Sequence, residues 1–398
     1  SMTMPVWGAA VQTLTELEPP KPAQIVTMGD DGHLLYPPYN ERGDVMMDFS
    51  RVGYKNGDEP IPEVPVVMEL TPSDGEGDDT AYIQAAIDKV SELQMDKNGI
   101  RGALLLKKGT YRLAKSVYIK ASGVVLRGEG DSKDGTVILA TGTEQYNPIV
   151  IQGSGSVTKD GDQIQITDKY VGVGARTFTV ADASTLNLGD EIIVYRPSTE
   201  SWISDLGMDN IPAPATQWAP GSFDLQWQRQ ITKIEGNTIT VESPITTAID
   251  AQYGGGSVFK FKWDGRVSHC AVEHIYLDST YTDDIDEKHG WIAVQLKNAI
   301  DCWVQHVTAI HYAYSCVSVE KTARRVTVQD CTCLDMKSRI VGGLRYSFNL
   351  CGQQVLITRC HAETGRHDWV NGSQVVGPNV FYDNISTQSN SVSEPHHR

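Results

Sequence analysis

Three short stretches in the last part of this chain gather the side chains best suited to moving protons and neutralising anions: Arg345-Tyr346, Gly365-Arg366-His367-Asp368 and Pro395-His396-His397-Arg398. At His367 an imidazole sits between a guanidinium and a carboxylate, neighbours that can tune its basicity and orient its ring. On this reading His367 is the leading base or acid, and Arg345 and Arg366 neutralise a substrate carboxylate by bidentate contacts. Tyr346 is the alternate proton donor, Asp368 completes the set, and His396 with His397 extends it one step further. Lys337, Arg339, Tyr312, Tyr314, Trp369 and Arg398 would bind substrate around these groups. A salt-bridged loop is the competing account of Arg366-His367-Asp368. Hydrolytic chemistry would need paired carboxyls instead, for which Asp335, Glu363 and Asp368 are placed.

These groups need a scaffold, and a repeat supplies one. Segments 270–277 (CAVEHIYL), 302–309 (CWVQHVTA), 326–333 (VTVQDCTC), 355–362 (VLITRCHA) and 379–386 (NVFYDNIS) align at intervals of 32, 24, 29 and 24 residues. Their first and third positions are mostly apolar, as in strands with one buried face. Further apolar runs lie between them at 291–296, 316–319 and 346–350. Several strands per repeat, with no helical stretch between them, point to a parallel β-helix. Loops after equivalent strands then emerge on one side. These are 278–290, 310–315, 334–345, 363–369 and 387–398, so His311 and most of the residues above share one wall. The column His274, His306, Asp330, Arg359, Asp383 alternates in charge and reads as contacts between coils rather than as a site.

Of the 398 residues 40% are hydrophobic, enough for a large core, and the net charge of −16 disfavours nucleic acid as a partner. No apolar run is long enough to span a membrane. The seven cysteines all fall within the repeat, and their spacing matches no zinc pattern. Cys270 aligns with Cys302 and Cys331 with Cys360, which predicts a ladder of buried thiols, with a disulfide between neighbouring coils as the alternative.

Residues 1–76 are expected to pack as an extension, followed by a capping helix over 80–93 and the first coils up to 156. Asp78-Asp79-Thr80 with Ile83-Gln84-Ala85-Ala86-Ile87, then Gly109-Thr110-Tyr111 and Val124-Val125-Leu126-Arg127-Gly128, resembles the N-terminal cap and opening coils of the pectate lyase-like superfamily. The resemblance runs over residues 48–398 and extends to long secreted β-helix proteins of environmental bacteria. It implies an all-β fold, a right-handed parallel β-helix with an N-terminal capping helix. It also implies a secreted or periplasmic carbohydrate-active enzyme. A polysaccharide lyase acting on an acidic, uronate-containing polysaccharide by β-elimination is the first expectation; a glycoside hydrolase and a non-catalytic glycan-binding solenoid are the alternatives. The catalytic segments of pectate lyases (Trp-Ile-Asp-His, Arg-x-Pro-x-x-Arg) and of polygalacturonases have no match here, so neither residue set carries over.

The coil rhythm breaks over 157–255, where alternating runs and the turn Glu235-Gly236-Asn237 predict an inserted antiparallel β subdomain. Its Trp202 and Trp218 are candidate sugar-stacking platforms, with packing of the insert's own core as the alternative. The acidic run around Asp283, Asp284 and Asp286 offers hard oxygen ligands suited to Ca²⁺ but lacks EF-hand spacing, so a solvated loop competes. A chain stopping at Arg398 just after a strand in register leaves an open edge, which predicts a C-terminal remainder or second chain that completes the β-helix.

Overall fold

The computed structural model describes residues 21, 23–73 and 75–390. The expectations for His396, His397 and Arg398, and for a C-terminal remainder or second chain, lie outside the described residues. The protein is all-β, a parallel β-helix. Its longest sheet holds fourteen strands and a second, six-stranded parallel sheet faces it. The register is that of the repeat: Ala271 pairs with Trp303, Trp303 with Thr327, Thr327 with Leu356 and Leu356 with Val380. One face of the stacked coil strands fills a continuous core that includes Val272, Val304, Val328 and Ile357.

Each coil turns at single residues in the left-handed conformation. His269, Asp301, Arg325 and Gln354 hold one corner, and His274, His306, Asp330, Arg359 and Asp383 a second. His311, Asp335, Thr364 and Gln388 hold a third, and φ lies between 41° and 70° throughout. Asp, Asn and His tolerate this region better than other L-residues, which accounts for their recurrence at these columns. The strand Ala299–Ile310 bends at Asp301 and His306 and so runs around three sides of its coil. Down the second column His306 lies 3.8 Å from Asp330, and Arg359 bonds both Asp330 oxygens at 2.9 and 3.1 Å.

The helix Thr80–Ser91 caps the open end, burying Ile83, Ala86, Ile87 and Val90. Asp79 stands at the N-cap, but it is Asp78 that accepts the Thr80 N–H, at 3.0 Å. Two boundaries differ from expectation. Val66–Leu70 already pairs with Gly102–Leu106, so the first coil begins within the stretch read as an extension. Ser257–Lys262 pairs with Thr158–Gln165 and Glu191–Arg196, so the inserted antiparallel sheet runs past residue 255, and the solenoid resumes at Val267–Ser268. Only strand pairing decides that edge, because the glycines at 254–256 lead into this strand instead of out of the insert.

The insert has its own core around Trp227, Ile192, Val194 and Ile239. A buried polar network fastens it to the coils. Fully buried Arg324 bonds Gln354 Oε1 at 2.7 Å, Glu191 at 2.8 Å and Glu242 at 2.9 Å, and Gln354 reaches Asn56 of the N-terminal strap at 3.0 Å. Cys316 and Cys333 form a disulfide joining two sides of one coil, while Cys270, Cys302, Cys331 and Cys360 are buried thiols. The aligned cysteines of neighbouring coils are therefore not the bonded ones.

Candidate functional site

The third corner column is where polar chemistry collects. His311 and Asp335 occupy it in consecutive coils, and left-handed φ at both turns their side chains out of the strand rhythm. His311 Nδ1 lies 2.7 Å from Asp278 Oδ1 and its Nε2 lies 3.1 Å from Asp335 Oδ2. Lys337 bonds the other Asp335 oxygen at 3.1 Å and Asp284 at 2.7 Å. The Tyr281 ring lies over His311, centroids 4.7 Å apart, with the Lys337 ammonium 5.1 Å from its centre. Buried His289 donates from Nε2 to the His311 carbonyl at 2.9 Å and so fixes the backbone there. Burial holds the His289 ring below its usual basicity.

Charge in this wall is internally balanced. Burial opposes the Lys337 charge, but its bonds to Asp284 and Asp335 outweigh that and hold the ammonium above its usual range. The Lys337 bond in turn holds Asp284 below the usual carboxylate range, and Arg339 does the same for Glu287 through contacts of 2.6 and 3.2 Å. Asp284, Asp335, Lys337, Arg339, Arg345 and Thr364 line a groove of about 510 Å³.

The residues singled out from sequence divide sharply. Arg345 is buried and spends its guanidinium on the carbonyls of Ser338, Thr364 and Asp284 at 3.0, 3.3 and 3.2 Å, which clamps three wall loops together. Burial lowers its basicity. His367, Asp368 and Trp369 belong to the strand His367–Asn371 rather than to a loop, because Tyr346 pairs with His367 in the second sheet. Asp368 is fully buried, accepting from Ser347 Oγ at 2.7 Å. Trp369 stacks on Phe348 in the core, and Tyr312 is fully buried with its hydroxyl on the Asp278 carbonyl at 3.0 Å, so neither presents a face to substrate. Tyr346 and His367 are nine-tenths buried with ring centroids 5.9 Å apart. Tyr314 is half-buried against Trp291. Arg366 has its Nη1 buried without a partner among the described residues. Of the hydrolytic set, Asp335 lies at the cluster, whereas Glu363, one residue before the same corner in the next coil, faces His361 at 3.4 Å.

The calcium candidates are otherwise engaged. Asp284 pairs with Lys337, Asp286 accepts the N–H groups of Thr282 and Lys288 at 3.0 and 2.8 Å, and Asp283 accepts that of Ile285 at 3.0 Å. No group of three or more His, Cys, Asp or Glu among the described residues could hold a metal ion. Trp202 and Trp218 sit half-buried in the insert with ring centroids 5.9 Å apart, while Trp227 is core.

No family model and no curated protein matches this chain. Similar solved structures include a tailspike of Acinetobacter baumannii bacteriophage AP22 in complex with A. baumannii capsular saccharide, at 9% identity and TM-score 0.32 over 79% of this chain and 56% of that one. A double mutant of the tailspike protein of E. coli bacteriophage HK620 is similar at 14% identity and TM-score 0.35, over 90% of this chain and 51% of that one. The catalytic unit of a thermostable α-1,3-glucanase from Streptomyces thermodiastaticus is similar at 12% identity and TM-score 0.26, over 79% and 39%. This chain spans about half the length of the tailspike chains it matches. The narrower resemblance to pectate lyases stands only on the cap and opening-coil residues. No helix among the described residues is long and apolar enough to cross a membrane.

Asp278 and the His311–Asp335 pairing were not drawn from the sequence as a site. The signal was present: continuing the repeat two positions past Ala309 and Cys333 puts His311 and Asp335 at one register position in adjacent coils.

Proposed function

We propose that this protein is a carbohydrate-active β-helix enzyme that hydrolyses a glycosidic bond in the wall groove, with Asp335 as the residue that meets the scissile oxygen. The observation that carries the reading is the single imidazole held between two carboxylates, Asp278 at 2.7 Å and Asp335 at 3.1 Å. Both ring nitrogens can donate to these oxygens only when the ring carries two protons, so a proton can pass to either carboxylate. Bonds on opposite sides of one imidazole put the carboxyls roughly 7–8 Å apart, within the span of pairs that act with an intervening group. The imidazole fills that gap, so Asp335, whose side chain is 48% exposed, faces substrate, and Asp278 acts through His311. A proton passes from His311 Nε2 to Asp335 and on to the departing glycosidic oxygen, water adds to the anomeric carbon, and the proton that water loses is taken up by the Asp335 carboxylate and returned to His311. His311, Asp278 and Lys337 are positioning residues.

Elimination, the first expectation from sequence, needs cations free to neutralise a substrate carboxylate. Lys337, Arg339 and Arg345 are committed to protein acceptors, and this favours hydrolysis over the lyase. Arg366, whose Nη1 has no partner among the described residues, is the feature that keeps elimination as a second reading. A panel of acidic and neutral polysaccharides separates the two: hydrolysis gives new reducing ends alone, and elimination adds the ultraviolet absorbance of an unsaturated uronate. Reducing ends that persist undiminished in Asp335→Asn would remove the proposed site, and products carrying that absorbance would remove the hydrolytic reading.

A further inference from the structure

A second cleft lies in the insert, away from the wall. Its volume is about 180 Å³, and it is lined by Arg42, Tyr170, Arg196, Trp202, Asp250 and Tyr253 among others. Arg196 is 6% exposed. One of its nitrogens, Nη2, bonds the Phe223 carbonyl at 3.1 Å, while Nε is buried without a partner among the described residues. Its guanidinium carbon stands 4.3 Å over the Trp202 ring. Asp224, the acid whose charge supports it, is committed elsewhere: it takes the Ser198 N–H and hydroxyl at 2.7 and 3.0 Å and the Tyr195 hydroxyl at 2.5 Å. Burial accordingly lowers the basicity of Arg196.

The second cation, Arg42, pairs with Asp250 at 2.9 Å and lies 3.8 Å over the Tyr170 ring. The Tyr170 and Tyr253 hydroxyls donate to Asp44 and Asp205, each at 2.7 Å, which holds both rings in place. Trp218 stacks on Phe223 and backs Trp202 without lining the cleft. Two guanidinium groups and one carboxylate line the cleft itself, while Asp44, Asp205 and Asp224 stand behind the lining, held by Tyr170, Tyr253 and Ser198.

We propose that this cleft is a binding site for one carboxylated monosaccharide unit. A carboxylate set against the Arg196 guanidinium that lines the cleft gives a charge-assisted partner to a buried cation whose only hydrogen bond among the described residues is to the Phe223 carbonyl. Aromatic walls suit the apolar face of a pyranose, and the volume admits a single sugar rather than a chain. A neutral sugar offers hydroxyl acceptors without charge assistance, so a carboxylate is the preferred occupant. The cleft shares no residue with the wall groove, so binding here and cleavage there can fail separately.

Ligand-observed NMR titration of the whole protein with glucuronic acid, glucose and glucose 6-sulfate tests the assignment. Saturable binding of glucuronic acid is expected, with glucose weaker by about tenfold or more. Arg196→Lys keeps a charge but loses the planar fork and should weaken glucuronic acid binding about tenfold. Arg42→Gln, at an exposed position that does not threaten folding, should weaken it several-fold and decides the matter if Arg196→Lys does not fold. Asp335→Asn should leave this binding unchanged. Equal affinity for glucose, preference for the sulfate ester, or undiminished binding by folded Arg42→Gln and Arg196→Lys proteins would each overturn the proposal.

Discussion

Replacing Arg324 with Leu should be among the most damaging single changes in this protein, and the network described above sets the size of the effect. The substitution removes three short hydrogen bonds from a side chain with no solvent access. Glu191, whose side chain is 32% exposed, can take up water in exchange, but Glu242, at 1%, cannot. Glu242 keeps the Gln230 N–H at 2.6 Å and the Gln354 amide at 3.1 Å, so its loss is the compensating charge rather than every partner. Breaking one side of a buried ion pair in this way costs about 3–5 kcal/mol. Glu242→Gln leaves Arg324 paired with Glu191 and forfeits one charged hydrogen bond, about 1.5–3 kcal/mol.

The pH dependence has a definite sign. Burial works to raise the Glu242 pKa, but Arg324, Arg229 and its hydrogen bonds outweigh it and hold the group below its ordinary 4.5. A depressed folded value means that its contribution is complete above about pH 4.5 and is lost as pH falls through the folded value. The gap between wild type and Arg324→Leu should therefore narrow in acid. Urea unfolding read by tryptophan fluorescence and circular dichroism, at neutral pH and below pH 4.5, measures both quantities. A cost under about 1 kcal/mol for Arg324→Leu, or a larger cost for Glu242→Gln, would refute the reasoning.

In the groove, Asp335→Asn should lower kcat by about 10²-fold or more with the melting temperature retained, and His311→Gln should alter the pH profile of whatever turnover remains. Removing both Cys316 and Cys333, which close a loop of sequence separation 17, should cost about 3 kcal/mol in urea unfolding and abolish the effect of reductant on the midpoint. Gly153→Ala should destabilise by about 1–3 kcal/mol, because a methyl group there meets the Asn298 carbonyl and lies 2.6 Å from the Gly265 carbonyl. A midpoint unchanged from wild type would mean that the entry to the insert gives way without strain.

The coil register could be read from the chain because inward positions repeat as Val272, Val304, Val328 and Ile357, and one misplaced residue would turn each set outward. The cap helix was legible for the same reason, through Ile83, Ile87 and Val90. The site was less legible because its contacts join distant residues. Lys337 meets Asp284 across 53 positions and Arg345 reaches the Asp284 carbonyl across 61. Local sequence around Arg345 offers a free cation, and only the neighbouring loops reveal that carbonyls consume it. His367 is a similar case: Gly365 and Asp368 suggest a turn, while the unfilled edge beside Tyr346 makes a strand. Ser257–Lys262 joined the insert because strand partners, not alternation, decide membership of a sheet.

The single-residue corners have a consequence for how such a molecule can change. At the first two columns a side of the coil ends and the next begins within one residue, so an added or lost residue there would displace every later rung. The third corner is different: residues 311–314, 335–345 and 364–366 connect it to the second sheet with unlike lengths while the strands around them stay in register. Length therefore varies at two edges of the solenoid: this one, which carries His311 and Asp335, and the return from the second sheet, where the insert stands between Ile149–Gln152 and Val267–Ser268. Loops on the His311 edge can be lengthened, shortened or exchanged to suit a different ligand while the coil circumference, the core and the docking of the insert are left as they are.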